Sequence, residues 1–248
     1  MDTLLQFYKQ ECAKIRFLEN FKTIGSNHYR VINDVVQAFN LERTRGNSCT
    51  LEIGVTPLCF GIIDKKNIIE SLRAVYFSRD WSREYWEYER GSLQSFSVCV
   101  QDIVALIREV VVPFFMRSAD CINAYDAITK LLADCSFLFN EPQLFCNYSS
   151  YCMLVKAKNY DAAISHLQHS KACWETDDPD LLEMDRTPEY YAMKNRRLAG
   201  IKRELDILQS GNDDLISDFV SKREQLSLQT YGLLSKDVVV NAMPKPWE

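Results

Sequence analysis

The chain has 248 residues, of which 47% are hydrophobic and 25% charged, with a net charge of −5. That length can bury a core without staples, and the charge gives no general drive toward nucleic acid or an anionic membrane. No window approaches the roughly 18 uninterrupted apolar residues of a membrane-spanning helix, and the opening MDTLLQFYKQECAKIRF is amphipathic rather than a secretory signal.

The first element expected is a helix over residues 3–21, with Leu4, Phe7, Tyr8, Ile15, Leu18 and Phe21 at helical spacing. Gly25 and Ser26 turn the chain into three strands at Tyr29–Ile32, Val35–Leu41 and Cys49–Thr56. Asn33-Asp34 suits a tight hairpin turn because both residue types tolerate positive φ. In the third strand Leu51, Ile53 and Val55 alternate with Thr50, Glu52, Gly54 and Thr56, which predicts one face wetter than the other. Cys59–Ile63 is a candidate fourth strand.

Lys66–Phe77 reads as a helix, followed by the aromatic and charged run RDWSREYWEYERG. Ser92 is placed to cap a helix to about Val112, ended or kinked by Pro113, and Ser118 to cap another reaching Asp134. Beyond Asn140 only helices are expected: 142–157 and 160–174 as a hairpin turning at Lys158-Asn159, a third from Thr187-Pro188-Glu189 to about Gln209, and a fourth over 213–229. The hairpin resembles a single tetratricopeptide unit, but no second copy follows at a period of about 34 residues. The fold class is therefore α+β. A small, mostly antiparallel sheet of three to four strands (29–63) is covered by helices in a domain over 1–138, and a helical domain or extension occupies 139–248.

The order helix, NHYRVINDVVQAFNLER, polar loop, SCTLEIGV resembles a bacterial family catalogued as domain of unknown function 4304. Tyr29-Arg30, Val35-Val36-Gln37, Phe39-Asn40-Leu41 and Leu51–Val55 carry the likeness, with looser agreement around Trp81 and Pro113, over about residues 3–135. The resemblance implies a bacterial protein with this core and assigns no catalytic residues.

The eight glycines form no dinucleotide, phosphate-binding or nucleophile-elbow motif, and no zinc-protease motif occurs, so no cofactor is implied. Nine cysteines at irregular spacings, without C-x-x-C, read as reduced, mostly buried thiols in a cytoplasmic protein. His28, one of three histidines, is a candidate general base beside Arg30, weighed against a hairpin-edge histidine. His166, His169 and Cys173 share one helical face and form a weak metal candidate, with Cys146 or Cys152 as a further ligand. The alternative is a solvated face. Trp81, Tyr85 and Tyr88 would align on a helix as a binding platform or, more simply, as a lid over the sheet. Arg30, Arg43 and Arg45 suit an anion or an ordinary solvated loop.

Residues 175–189 hold seven acids, among them Asp177, Asp178, Asp180 and Asp185, against one base, Arg186. The segment is either a solvated connector or a surface for a basic protein. The expectation is a non-enzymatic protein that binds another protein, of immunity type in its most concrete form, with neither nucleic acid nor membrane as partner. An enzyme working in a sheet–helix cleft near His28 and a structural oligomer are the alternatives.

Overall fold

Asn33 takes a φ of 47°, and this left-handed residue closes the hairpin between β2 (Asn27–Ile32) and β3 (Val35–Arg43). Asparagine tolerates that conformation better than most residues. Asp34 serves a different end: its Oδ1 accepts the backbone N–H of Cys121, at the start of the helix Cys121–Asp134. Asn33 Nδ2 donates to the Ala119 carbonyl, so the turn is bonded to the segment entering that helix.

The structure, a computed structural model, describes residues 3–43, 46–61, 72–73, 85–134, 147–176 and 187–234. It is an α+β protein in two compact units: Met1–Thr56 with Lys66–Asn140, and Pro57–Lys65 with Glu141–Glu248.

In the first unit the hairpin belongs to a sheet whose strands lie in the order β1 (Lys22–Ile24), β2, β3, β4 (Ser48–Pro57) and β5 (Leu72–Arg73). β1 (Lys22–Ile24) pairs antiparallel with β2 around Gly25, whose φ of 64° makes the tight return. This strand was absent from the expected set because three residues leave too little alternation to read. Helix α1 is shorter than expected, Thr3–Cys12, and a 3-10 turn over Arg16–Asn20 replaces its second half. β4 (Ser48–Pro57) is buried along nearly its whole length, Thr50 and Thr56 included, so the expected wet face is corrected to a strand covered on both sides.

The helix expected over Lys66–Phe77 gives way at Leu72–Arg73 to strand β5, which pairs antiparallel with Ile53 and Glu52. There β4 offers backbone donors and acceptors that a helix could not use. The remainder of that span lies outside the described residues. β6 (Trp86–Glu87) also pairs with β4, at Cys49 and Ser48.

Helix α2 (Leu93–Leu106) is capped by Ser92, whose side chain accepts the Ser95 N–H. Pro113 neither ends nor breaks the helical run. A π-helical turn over Ile107–Val111 precedes it, and the run continues as α3 (Val112–Arg117). Proline lacks an N–H and crowds the carbonyl four residues back, and the wider turn makes room for its ring. Cys121–Asp134 is α4.

The second unit begins with a 3-10 turn, Leu58–Phe60, where a fourth strand was a candidate. Gly61 ends it at φ 78°, and residues 62–63 lie outside the described residues. The expected helical hairpin is present as α5 (Asn147–Lys156) and α6 (Tyr160–Glu175). Lys158 turns at φ 58°, and the Asn159 side chain caps α6 through the Ala162 N–H. Thr187 caps α7 (Pro188–Gln209), and Asn212 caps α8 (Asp213–Thr230). Ser227 on α8 donates to the Leu58 carbonyl at 2.7 Å, fastening the turn to the helix. No helix among the described residues is long and apolar enough to cross a membrane.

Candidate functional site

β2 turns His28 and Arg30, two residues apart, to the same face of the sheet. His28 is 5% exposed. Its ring lies flat on Phe39 at 4.7 Å and 5°, with Tyr8 edge-on at 5.4 Å. Nδ1 meets the Thr23 hydroxyl at 3.0 Å, while the buried Nε2 has no hydrogen-bond partner. Burial, and next the charge of Lys9, lower its pKa to about 4, so the ring is neutral at physiological pH.

Arg30 is engaged locally. Its guanidinium stacks on Phe17 at 4.4 Å and Phe21 at 4.9 Å, and Nε donates to Gln37 Oε1 at 2.8 Å. The fully buried Gln37 in turn donates to the Phe115 and Ser118 carbonyls at 2.7 and 2.9 Å. Arg43 is exposed at the other end of β3. Since Arg30 faces Gln37, six residues from Arg43, the two arginines are separated by about 20 Å of strand. They do not converge on one anion. Arg45 lies outside the described residues.

The aromatic run is extended at Trp86–Glu87, so Tyr85 and Tyr88 do not share a helical stripe, and Trp81 lies outside the described residues. Pairing of Trp86 with Cys49 overrides the helical spacing. Tyr85 is exposed, Trp86 is buried, and Tyr88 packs on Phe96 at 5.6 Å. Asn47, Ser48, Glu87, Tyr88, Glu89 and Ser95 line an open groove of about 630 Å³ between the start of β4, β6 and the first turn of α2. The groove is polar and carries two carboxylates. Arg90, nearby, donates to the Gly46 carbonyl.

The structure also joins residues that sequence reading left apart. Cys49 on β4 and Cys99 on α2 bring their sulfurs to 3.7 Å, both buried. They are fifty positions apart, and nothing local in the sequence signals the pairing. Burial pushes the Cys12 thiol up to about 12, so it stays protonated at physiological pH.

In the second unit His166, His169 and Cys173 are half-buried on α6, and Cys173 Sγ meets His169 Nε2 at 3.6 Å. Burial, then His169, lowers the pKa of His166. Among the described residues no group of three or more metal-ligating side chains could hold an ion. Cys152 is buried on α5, and Cys146 lies outside the described residues.

Asp177, Asp178, Asp180 and Asp185 also lie outside the described residues. The residues flanking them are visible: Glu175 ends α6 and Glu189 opens α7, both exposed. Tyr191 is 40% exposed with Tyr190 edge-on against it, and Arg197 stacks on Trp174 at 4.3 Å. Sequence reading missed the Arg197–Trp174 stack because the two residues stand on different helices. Compared with known proteins, the chain matches no family model, no curated protein and no solved structure.

Proposed function

We propose that this is a bacterial cytoplasmic protein that works by binding another protein, and that its acidic connector, residues 175–189, engages a basic partner as an immunity-type protein masks a basic toxin. The observation that supports the reading is the charge of the connector. It holds a net charge of −6 in fifteen residues and is bracketed by the exposed Glu175 and Glu189. Tyr190, half-buried, and Tyr191, exposed, follow directly, and aromatic side chains are enriched at protein-binding surfaces. Concentrated charge of this kind speeds encounter with a basic protein and suppresses acidic ones. The kinship with domain of unknown function 4304 belongs to the same proposal and rests on the strand pattern and the residues Tyr29-Arg30, Val35–Gln37, Phe39–Leu41 and Leu51–Val55.

The rival reading, an enzyme built around His28, is weakened by the packing of that ring between Phe39 and Tyr8 and by the engagement of Arg30 with Phe17, Phe21 and Gln37. A general base must reach the proton it abstracts.

The test is titration of a purified basic partner, first captured from bacterial lysate on the full chain, against wild type and the variant Asp177→Asn, Asp178→Asn, Asp180→Asn, Asp185→Asn. Affinity should fall about tenfold or more in the variant, with a weaker salt dependence. Unchanged affinity and salt dependence would sink the acidic-surface reading.

A further inference from the structure

We propose that Cys49 and Cys99 are a two-electron oxidation site, closing to a reversible disulfide that ties β4 to α2 when the protein meets a hydroperoxide. The sulfurs already stand 3.7 Å apart, and a disulfide needs about 2.05 Å. Other thiols among the described residues are engaged differently: Cys59 donates to the Cys152 carbonyl, Cys121 to the Asp34 carbonyl, and Cys173 meets His169.

The two cysteines are themselves buried, at 0% and 3% exposed, and their chain neighbours reach a polar groove. Ser48, next to Cys49, and Ser95, one helical turn before Cys99, both line the polar groove, and the Trp86 carbonyl beside it accepts from the Cys49 thiol. A hydroperoxide is a small polar oxidant of the kind such a groove admits. The two sulfurs also divide their roles. The contact with Cys49 lowers the Cys99 pKa against the opposing effects of burial and Asp102. The same contact, together with burial, keeps Cys49 protonated. Cys99, 3% exposed against 0% for Cys49, is the sulfur placed to meet the oxidant first, and Cys49 is the resolving thiol.

The chemistry balances. The Cys99 thiolate attacks one peroxide oxygen, the O–O bond breaks, and the leaving alkoxide or hydroxide takes the thiol proton, giving Cys99 sulfenic acid and an alcohol or water. Cys49 sulfur then displaces the sulfenic oxygen, which leaves as water with the Cys49 proton, and the S–S bond forms. Two thiols lose two electrons and the peroxide gains them. The closed loop restrains the unfolded chain, so the oxidised form should melt at a higher temperature.

The experiment treats the folded full chain with hydrogen peroxide, unfolds it in a thiol-blocking reagent and maps the peptides without reduction. The expected result is a Cys49–Cys99 linked peptide in the majority of chains, abolished by dithiothreitol. Peroxide treatment in denaturant should instead scatter the links among the cysteines. In Cys49→Ser, Cys99 should accumulate as sulfenic acid trapped by dimedone. The proposal is overturned if Cys49 and Cys99 are both recovered as free thiols while the half-buried Cys173 is oxidised, or if either links elsewhere in the folded chain. The wild-type map decides this even if the serine variant does not fold.

Discussion

Arg223 donates Nη2 to Glu204 Oε1 at 2.6 Å, with the two side chains only 1% and 4% exposed. The pair joins α8 to α7. Tyr151 of α5 completes it, donating its hydroxyl to Glu204 Oε2 and accepting from Arg223 Nη1 at 3.1 Å. Phe219 lies under the guanidinium at 4.4 Å, and the arginine stem crosses Gly61 so closely that a Cβ there would stand 3.3 Å from Cγ. Two charges taken out of water cost several kcal/mol each, and this geometry offsets that cost only while every partner remains.

Removing one partner should therefore cost more than removing both. Arg223→Met is expected to destabilise the protein by about 3–5 kcal/mol, because Glu204 is left charged and buried. Adding Glu204→Leu should recover more than half of the loss. Urea denaturation of the two single variants and the double variant measures the coupling. A double variant whose cost equals the sum of the singles would show that the pair acts as two independent charges.

His28 gives a pH signature. Its folded pKa of about 4 lies below the ordinary value of 6.5. Between these values the unfolded chain binds a proton that the folded chain does not, so stability falls as pH drops from 6.5 to 4 and levels off below. A shift of this size corresponds to about 3 kcal/mol. His28→Phe keeps the stack on Phe39 and should remove this part of the pH dependence. Denaturant unfolding at a series of pH values, compared between wild type and variant, is the check, and parallel curves would refute the assignment.

Gln37 serves three partners from a fully buried position: Arg30 on one side, and the Phe115 and Ser118 carbonyls on the other. Gln37→Leu keeps the volume and strips the bonds. The expected loss is about 2–4 kcal/mol, since buried polar groups left unpaired cost about 1–3 kcal/mol each. Hydrogen exchange should show earlier opening of α3, whose end those carbonyls mark. If Gln37→Leu melts within a degree of wild type, water satisfies the carbonyls and the bridge is not structural.

Local signals were well preserved. Ser118 is an exception: expected to cap α4, it ends α3 and donates to the Phe114 carbonyl, while Asp120 accepts the Asn123 N–H. Ser92 and Thr187 could be read as caps, and Lys158-Asn159 as a turn, because such signals act within one turn of their own residue. The Tyr29–Ile32 and Val35–Leu41 strands were readable for the same reason, with Asn33 making their turn. Leu72–Arg73 and Trp86–Glu87 were not, because their pairing partners lie on β4, many residues away, and short segments follow the partner that completes their backbone bonds. The candidate sites divide similarly. His28, Arg30 and Arg43 were named from the chain, but only their neighbours show that the first two are packed into the sheet covering and that the third stands at the far end of β3.

By itself the sequence determined the α+β class, the helical second half, the main hairpin and the concentration of charge at 175–189, all of which follow from periodicity, turn chemistry and composition over short spans. Tertiary structure alone decided which polar groups meet. It placed Cys49 against Cys99, Gln37 under the end of α3, and Arg223 between Glu204 and Tyr151. The reason is physical: a buried sulfur, amide or charge finds its partner through packing across distant segments, and no local spacing records which segments will be adjacent.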